Sequence, residues 1–222
     1  MRRSLVYKHL GDLDYELWRS ITRLYAGEPL VRAYLLYDLV YELDRTDVQF
    51  EVHEGEIVGY VLAWRGSARA AVHVWGRLED PAVLVLRNIE SIITVHNEGL
   101  LVPLVTALKR SGSARVERYL DMVADERSFK PVGVDRAVRL DTRDERHVES
   151  FLKFARARGL SLTAEGAREL LVKRRYYGVF EAGELVSVAC AYLRLPEVWI
   201  AGDVHSYLST GVRGMRKQPR PP

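Results

Sequence analysis

The chain of 222 residues contains one cysteine, two asparagines and two glutamines. A single cysteine excludes an internal disulfide framework and any cysteine-based metal site. The apolar neighbours of Cys190 in "VACAY" read as core, so its thiol is expected to be buried and inert. Scarce side-chain amides, with Arg far outnumbering Lys, match the depletion of thermolabile residues in proteins from hot environments. No apolar run approaches the roughly 18 residues of a membrane helix. The stretch "MRRSLVYKHLGDLDYE" has arginines but no apolar segment or cleavage site, so no signal peptide is expected and the cytoplasm is the expected location. The formal net charge of +3 admits an acidic ligand such as a phosphate but gives no mandate for nucleic acid. P-loop, dinucleotide and GxSxG patterns are all absent.

What is present is an ordinary globular balance, 48% hydrophobic and 28% charged, in a length that suits one large domain or two small ones. Within it, "VHEGEIVGYVLAW" (52–64) and "FEAGELVSVACAY" (180–192) align at a constant offset. Gly55 meets Gly183, Glu56 meets Glu184 and Val58 meets Val186. Each is an apolar strand, a short turn with glycine, and a second apolar strand, which is a β-hairpin pattern. The preludes also match. "LVYKHL" (5–10) reads as a strand, Asp12 as an N-cap, and two amphipathic runs follow, the second entered at Pro29. In the later copy "RAVRLD" (136–141) reads as a strand, Thr142 with Glu145 as a capping box, Gly159 as a helix end and Thr163 as the next helix start. Each unit is therefore expected to run strand, helix, helix, hairpin and one more strand, "AAVHVWG" and "VWIAGDVHS".

Between the units, "DPAVLVLRN" reads as a short helix, "SIITV" as a strand and "EGLLVPLVTALKRS" as a helix with Pro103 in its first turns. "ARVERYLDMVA" (114–124) alternates and reads as a strand. "DERSFKPVGVD" carries turn residues, which places the boundary between a domain at 1–130 and one at 131–222. Tyr34, Tyr37 and Tyr41 recur at helical spacing and are expected to face protein.

This order of elements resembles the GCN5-related N-acetyltransferase (GNAT) superfamily, and the segment "YYGVFEAGELVSVACAYLRLPEVWIAGDVHSYLSTGVRGMRK" (176–217) carries the likeness. The chain looks like the archaeal two-copy members related to the glycine N-acyltransferase and FR47-like branch. The resemblance implies an α+β fold with a mixed sheet, a tandem acyl-CoA N-acyltransferase arrangement in which the first copy lacks the CoA loop and the second, incomplete and C-terminally truncated, carries it. It implies acetyl-CoA as co-substrate and a small-molecule or peptide amine as acceptor.

The family's loop aims backbone N–H groups and a helix N-terminus at the CoA pyrophosphate. In "GVRGMRK" the resemblance assigns cofactor binding to Gly211, Val212, Arg213, Gly214 and Met215, with Gly214 as the glycine that lets phosphate approach the backbone. Gly211 stands where Arg or Gln is expected and Arg216 where Gly or Ala is expected, and "QPRPP" stops a helix at once. Backbone of Val204, His205 and Ser206 is implied to hold the thioester carbonyl. The titratable choices for a general base on that strand are Glu197, Asp203 and His205. Each also has a plain structural reading: a solvated entrance residue, a turn residue and a packed histidine. The family's acidic tyrosine has no counterpart, since Tyr207 is too early. His73, Trp75 and His96 hint at a metal or ring-stacking site, yet no third ligand has suitable spacing, so no metal is expected. Two functional classes follow: an N-acetyltransferase, or a catalytically inactive GNAT-like binding or interaction module. In either, the exposed last strand of the second copy favours a homodimer.

Overall fold

The computed structural model describes residues 2–7, 13–67, 69–78, 90–112 and 115–207. The chain divides into two compact units, Met1–Asp121 and Met122–Pro222. The first contains β1 (Arg2–Tyr7), α1 (Tyr15–Gly27), α2 (Pro29–Tyr41), β2 (Thr46–His53), β3 (Glu56–Trp64), β4 (Ala70–Gly76), β5 (Ser91–Val95) and α3 (Leu101–Ser111). The second contains β6 (Ala137–Arg139), α4 (Glu145–Ala157), α5 (Ala164–Lys173), β7 (Arg175–Glu181), β8 (Glu184–Arg194) and β9 (Trp199–Ser206).

Both sheets are built around two-residue hairpin turns. Glu54 and Gly55 have φ of 53° and 84°, and Ala182 and Gly183 have 49° and 81°. Positive φ at both central residues matches the twist of the strands being joined, and glycine takes the second place because it adopts that backbone freely. The two hairpins also share an irregularity. In β2–β3, Glu51 faces Gly59 while Val52 faces Ile57. In β7–β8, Val179 faces Ser187 while Phe180 faces Leu185. These bulges coincide at the offset that brings Gly55 onto Gly183.

The first sheet runs in the order β1-β2-β3-β4-β5, antiparallel except for the parallel pair β4–β5. The second runs β6-β7-β8-β9, antiparallel throughout. The class is thus α+β with a mixed sheet, as the resemblance implied. In the first unit Leu17, Ile21, Leu35 and Leu39 of the first two helices pack on Val48, Phe50 and Leu62. The opposite face packs Val61, Val72 and Val74 on Leu104 of α3. In the second unit Val148, Phe151, Phe154 and Leu171 pack on Tyr176, Leu185 and Val188. Each fully buried Leu, Val or Phe contributes about 1.5–3 kcal/mol relative to exposure, which fixes which helix stripe faces the sheet.

The helix ends follow local hydrogen bonding. Thr163 caps α5 by accepting from the Gly166 N–H at 3.0 Å. Gly159, with φ of 81°, closes α4: its N–H bonds the Arg156 carbonyl and the Leu160 N–H bonds the Ala155 carbonyl. Two caps differ from expectation. Asp12 lies outside the described residues, and α1 is capped by Asp14, which accepts from the Leu17 N–H at 2.8 Å. Asp144, not Thr142, caps α4. Asp141 accepts from the Arg143 N–H at 2.9 Å, and that turn occupies Thr142 and Arg143 before the helix can begin.

Two further expectations change. Residues 115–124 form no strand, and Tyr119, Leu120 and Met122 are exposed. Alternation records an amphipathic segment, but a strand also needs a neighbour to complete its ladder, and this segment has none among the described residues. The tyrosine stripe does not face protein uniformly: Tyr34 and Tyr37 are half-buried, whereas Tyr41 is exposed. Arg32, Leu35 and Leu39 form the inward line, so Tyr41 falls outside it. The segment "DPAVLVLRN", read as a short helix, lies outside the described residues.

Because both turns need the left-handed region, Gly55→Ala and Gly183→Ala are each expected to cost about 1–2 kcal/mol. Urea unfolding of the full chain should show a lowered midpoint for both; an unchanged midpoint would contradict the turn geometry.

Candidate active site on the last strand

β9 forms one edge of the second sheet, and among the described residues no strand pairs with its outer side. Its ladder with β8 shifts register twice: between Ile200 and Ala201 the extra residue is Tyr192 of β8, and nearer the end it lies on β9 itself. Val188 faces His205 and Cys190 faces Gly202, so Asp203 and Val204 together stand opposite Ala189. The extra residue is accommodated by Asp203 in the left-handed region, with φ of 49°. A bulge of this kind bends the strand and re-aims the side chains beside it. β4, which follows the hairpin of the first unit, pairs with β3 without any register shift.

Side chains hold the bulge in place. Arg158, at the C-terminal cap of α4, reaches the Asp203 carboxylate with Nη2 at 2.7 Å from Oδ1. The Tyr176 hydroxyl donates to Oδ2 at 2.6 Å. His205 Nε2 lies 3.3 Å from Oδ1. Burial pushes the Asp203 carboxyl up, but the hydrogen bonds from Arg158 and Tyr176 and the Arg158 charge outweigh it, and the net shift is downward. Burial, then donation to Asp203, pushes the Tyr176 phenol up. Asp203 is therefore a fixed carboxylate, a poor proton acceptor and a good orienting group. It directs one histidine nitrogen inward and leaves Nδ1 as the nitrogen turned away from it, on a side chain about half exposed.

The other expected residues fall as follows. Val204 is exposed, beside the bulge. Ser206 places its hydroxyl 2.8 Å from that of Ser187, whose Oγ also donates to the His205 carbonyl at 3.1 Å. Tyr207 lies against Phe154, with ring centroids 4.6 Å apart, and donates to the Phe154 carbonyl at 3.2 Å. Glu197 is exposed in the turn before β9. At about 3.3 Å per strand residue, Asp203 is about 13 Å along the strand from Trp199, where β9 begins after that turn. Gly211, Val212, Arg213, Gly214 and Met215 lie outside the described residues. Cys190 is buried, and burial pushes its thiol up, the opposite of what a nucleophile needs.

Arg158 and Tyr176 are the residues that sequence reasoning missed. Neither carried a sequence signal, since they lie 45 and 27 residues from Asp203. Among the described residues no group of three His, Cys, Asp or Glu side chains could hold a metal ion, and no helix is long and apolar enough to cross a membrane.

No family model and no curated protein matches the chain. Among solved structures it is similar to a Drosophila protein at 13% identity, covering 82% of this chain and 69% of that one with a TM-score of 0.38. It is similar to an acyl-CoA N-acyltransferase from Pseudomonas aeruginosa at 16% identity, covering 50% and 72%, with a TM-score of 0.26. A ribosomal-protein-alanine N-acetyltransferase from Brucella melitensis biovar Abortus 2308 matches at 12% identity over 56% and 100%, with a TM-score of 0.29. At these scores the likeness assigns neither an activity nor a partner, and the fold is read from the chain's own strands.

Arg158→Met is expected to destabilise the chain by about 1–3 kcal/mol at pH 7, the worth of hydrogen bonds to a charged group. The folded-state carboxyl is depressed, so its contribution is present above the unfolded value, 3.8, and is lost as pH falls through the folded value. The gap between wild type and Arg158→Met should therefore begin to narrow below about pH 4. A gap of the same size at pH 3 and pH 7, measured by urea unfolding, would contradict the ion pair.

Proposed function

We propose that the chain is an N-acyltransferase-type protein that uses acetyl-CoA and an amine acceptor, with its chemistry on β9 of the second unit. The observation that carries this reading is the bulge on β9 at Asp203–Val204, whereas β4 pairs with β3 without a register shift. A broken ladder on an open edge leaves backbone donors that the sheet does not use, which is what a developing oxyanion requires. The coincident turns and bulges of the two hairpins support a duplicated unit, 1–130 and 131–222, of which the later one is the working copy.

The described residues fit an acyl-CoA ligand in one testable respect: the carboxylate at the bulge is neutralised by Arg158, so it does not oppose an anionic ligand. In the first copy Glu79 and Asp80 follow the matching strand instead, and Pro81 withholds an N–H. When bound, acetyl-CoA supplies the activated acyl group. Val204, His205 and Ser206 present backbone to the thioester carbonyl, and Gly211–Met215, with Arg213 and Gly214, receive the phosphates. His205 holds the proton removed from the amine at Nδ1, while Asp203 orients the ring through Nε2. The open edge of β9 is also the surface on which a second copy would add, giving a homodimer.

Isothermal titration with acetyl-CoA should give a dissociation constant in the micromolar range for the wild type. Arg213→Ala should weaken it by about 1–3 kcal/mol, and Gly214→Leu should abolish it. His205→Ala should retain binding and lose roughly 10²–10⁴-fold in turnover. No heat in the wild type would leave a non-enzymatic binding module.

A further inference from the structure

The bulkiest fully buried side chain of the described residues is a cation in the other unit. Arg32 on α2 is 1% exposed. Its Nη2 donates to the carboxylate of Glu28, the N-cap of the same helix, which is more than half exposed. Its Nε and Nη1 have no hydrogen-bond partner among the described residues. The guanidinium carbon sits 3.8 Å from the Trp75 ring centroid. A ring face attracts the charge but accepts none of the in-plane N–H bonds, so the stacking leaves the donors unsatisfied. Buried charged donors are ordinarily paired, and those that are not call for an explanation.

The surroundings supply further polar groups, and the Asp121 carboxylate is near enough to His96 to act on it electrostatically. His73 of β4 is buried, and its Nδ1 lies 3.2 Å from Nε2 of His96, which follows β5. Tyr34 of α2 stacks on the His73 ring at 4.2 Å between centroids. Burial and then His96 hold His73 down at about 3, and burial followed by the Arg32 charge lowers His96. Both rings are therefore neutral near pH 7. Two neutral imidazoles carry two protons; one lies in their mutual contact, so one outer nitrogen of the pair is an N–H donor. The other outer nitrogen is an acceptor, so the surplus of donors at this place, between α2 and the parallel pair β4–β5, comes from Arg32.

We propose that Arg32, with the His73–His96 pair, forms a binding site in the first unit for the oxyanion of a small molecule, a carboxylate or a phosphate. Glu28 is the resident carboxylate, and an incoming oxyanion competes with it for the guanidinium. This site is independent of β9 and of the acetyl-CoA reading. Arg32 supplies charge and geometry, the histidine pair supplies a neutral donor, and Trp75 and Tyr34 form apolar walls.

The test is titration of the full chain with sodium acetate and, separately, inorganic phosphate, at constant ionic strength made up with chloride, read by tryptophan fluorescence and calorimetry. A saturable response to one anion and not to chloride is expected, and which anion gives it distinguishes carboxylate from phosphate. Glu28→Gln removes the competing charge at a largely exposed position and should tighten binding about tenfold, the size of one charge-assisted hydrogen bond. Arg32→Met, if circular dichroism shows it folded, should abolish the response; if it does not fold, Glu28→Gln alone decides. A response that never saturates, or a constant unchanged in Glu28→Gln, overturns the site.

Discussion

A carboxylate fixed in the middle of an edge strand organises the second unit. Asp203 occupies a backbone region that L residues avoid, and it stays there because Arg158 and Tyr176 hold its two oxygens. One ion pair therefore joins the end of α4 to β9, and one phenol joins β7 to the same point. Without them the extra residue in β9 would have no reason to sit where it does, and His205 would lose the group that directs its ring. A helix end, two strands and a titratable ring depend on one side chain.

The first unit solves the same topology differently. Its β4 pairs regularly with β3, and β5 adds beside it in parallel. No carboxylate bends the strand there. Instead α2 contributes a buried guanidinium, and β4 and the residue after β5 contribute histidines that burial keeps neutral. The similar hairpins thus carry opposite electrostatics: an anion satisfied by its neighbours in the second unit, a cation only partly satisfied in the first.

Much of the architecture was legible because it rests on local rules. Gly55 and Gly183 mark turns that few other residues can make, and Thr163 and Gly159 bound their helices through bonds to residues three to five positions away. Reading failed where two local rules compete, as at Asp141, whose turn displaces the expected capping residue. It also failed where a partner must be supplied from elsewhere: residues 115–124 alternate correctly, yet alternation does not provide a neighbouring strand. Asp203 and His205 could be named as titratable residues on the last strand. Arg158 and Tyr176 could not, since they lie 45 and 27 residues away from Asp203, and no spacing rule spans that distance. Arg32 was hidden for a related reason: an arginine amid apolar helix positions reads as outward-facing until the sheet beneath it is known.

The central claim is that acyl-CoA engages the bulged strand of the second unit. Amide hydrogen exchange with and without acetyl-CoA tests it most directly, because it reads the backbone donors themselves. The account predicts slowed exchange at residues 203–207 and none of comparable size at 70–76. Protection confined to 70–76, or no protection in either strand at saturating acetyl-CoA, would contradict it.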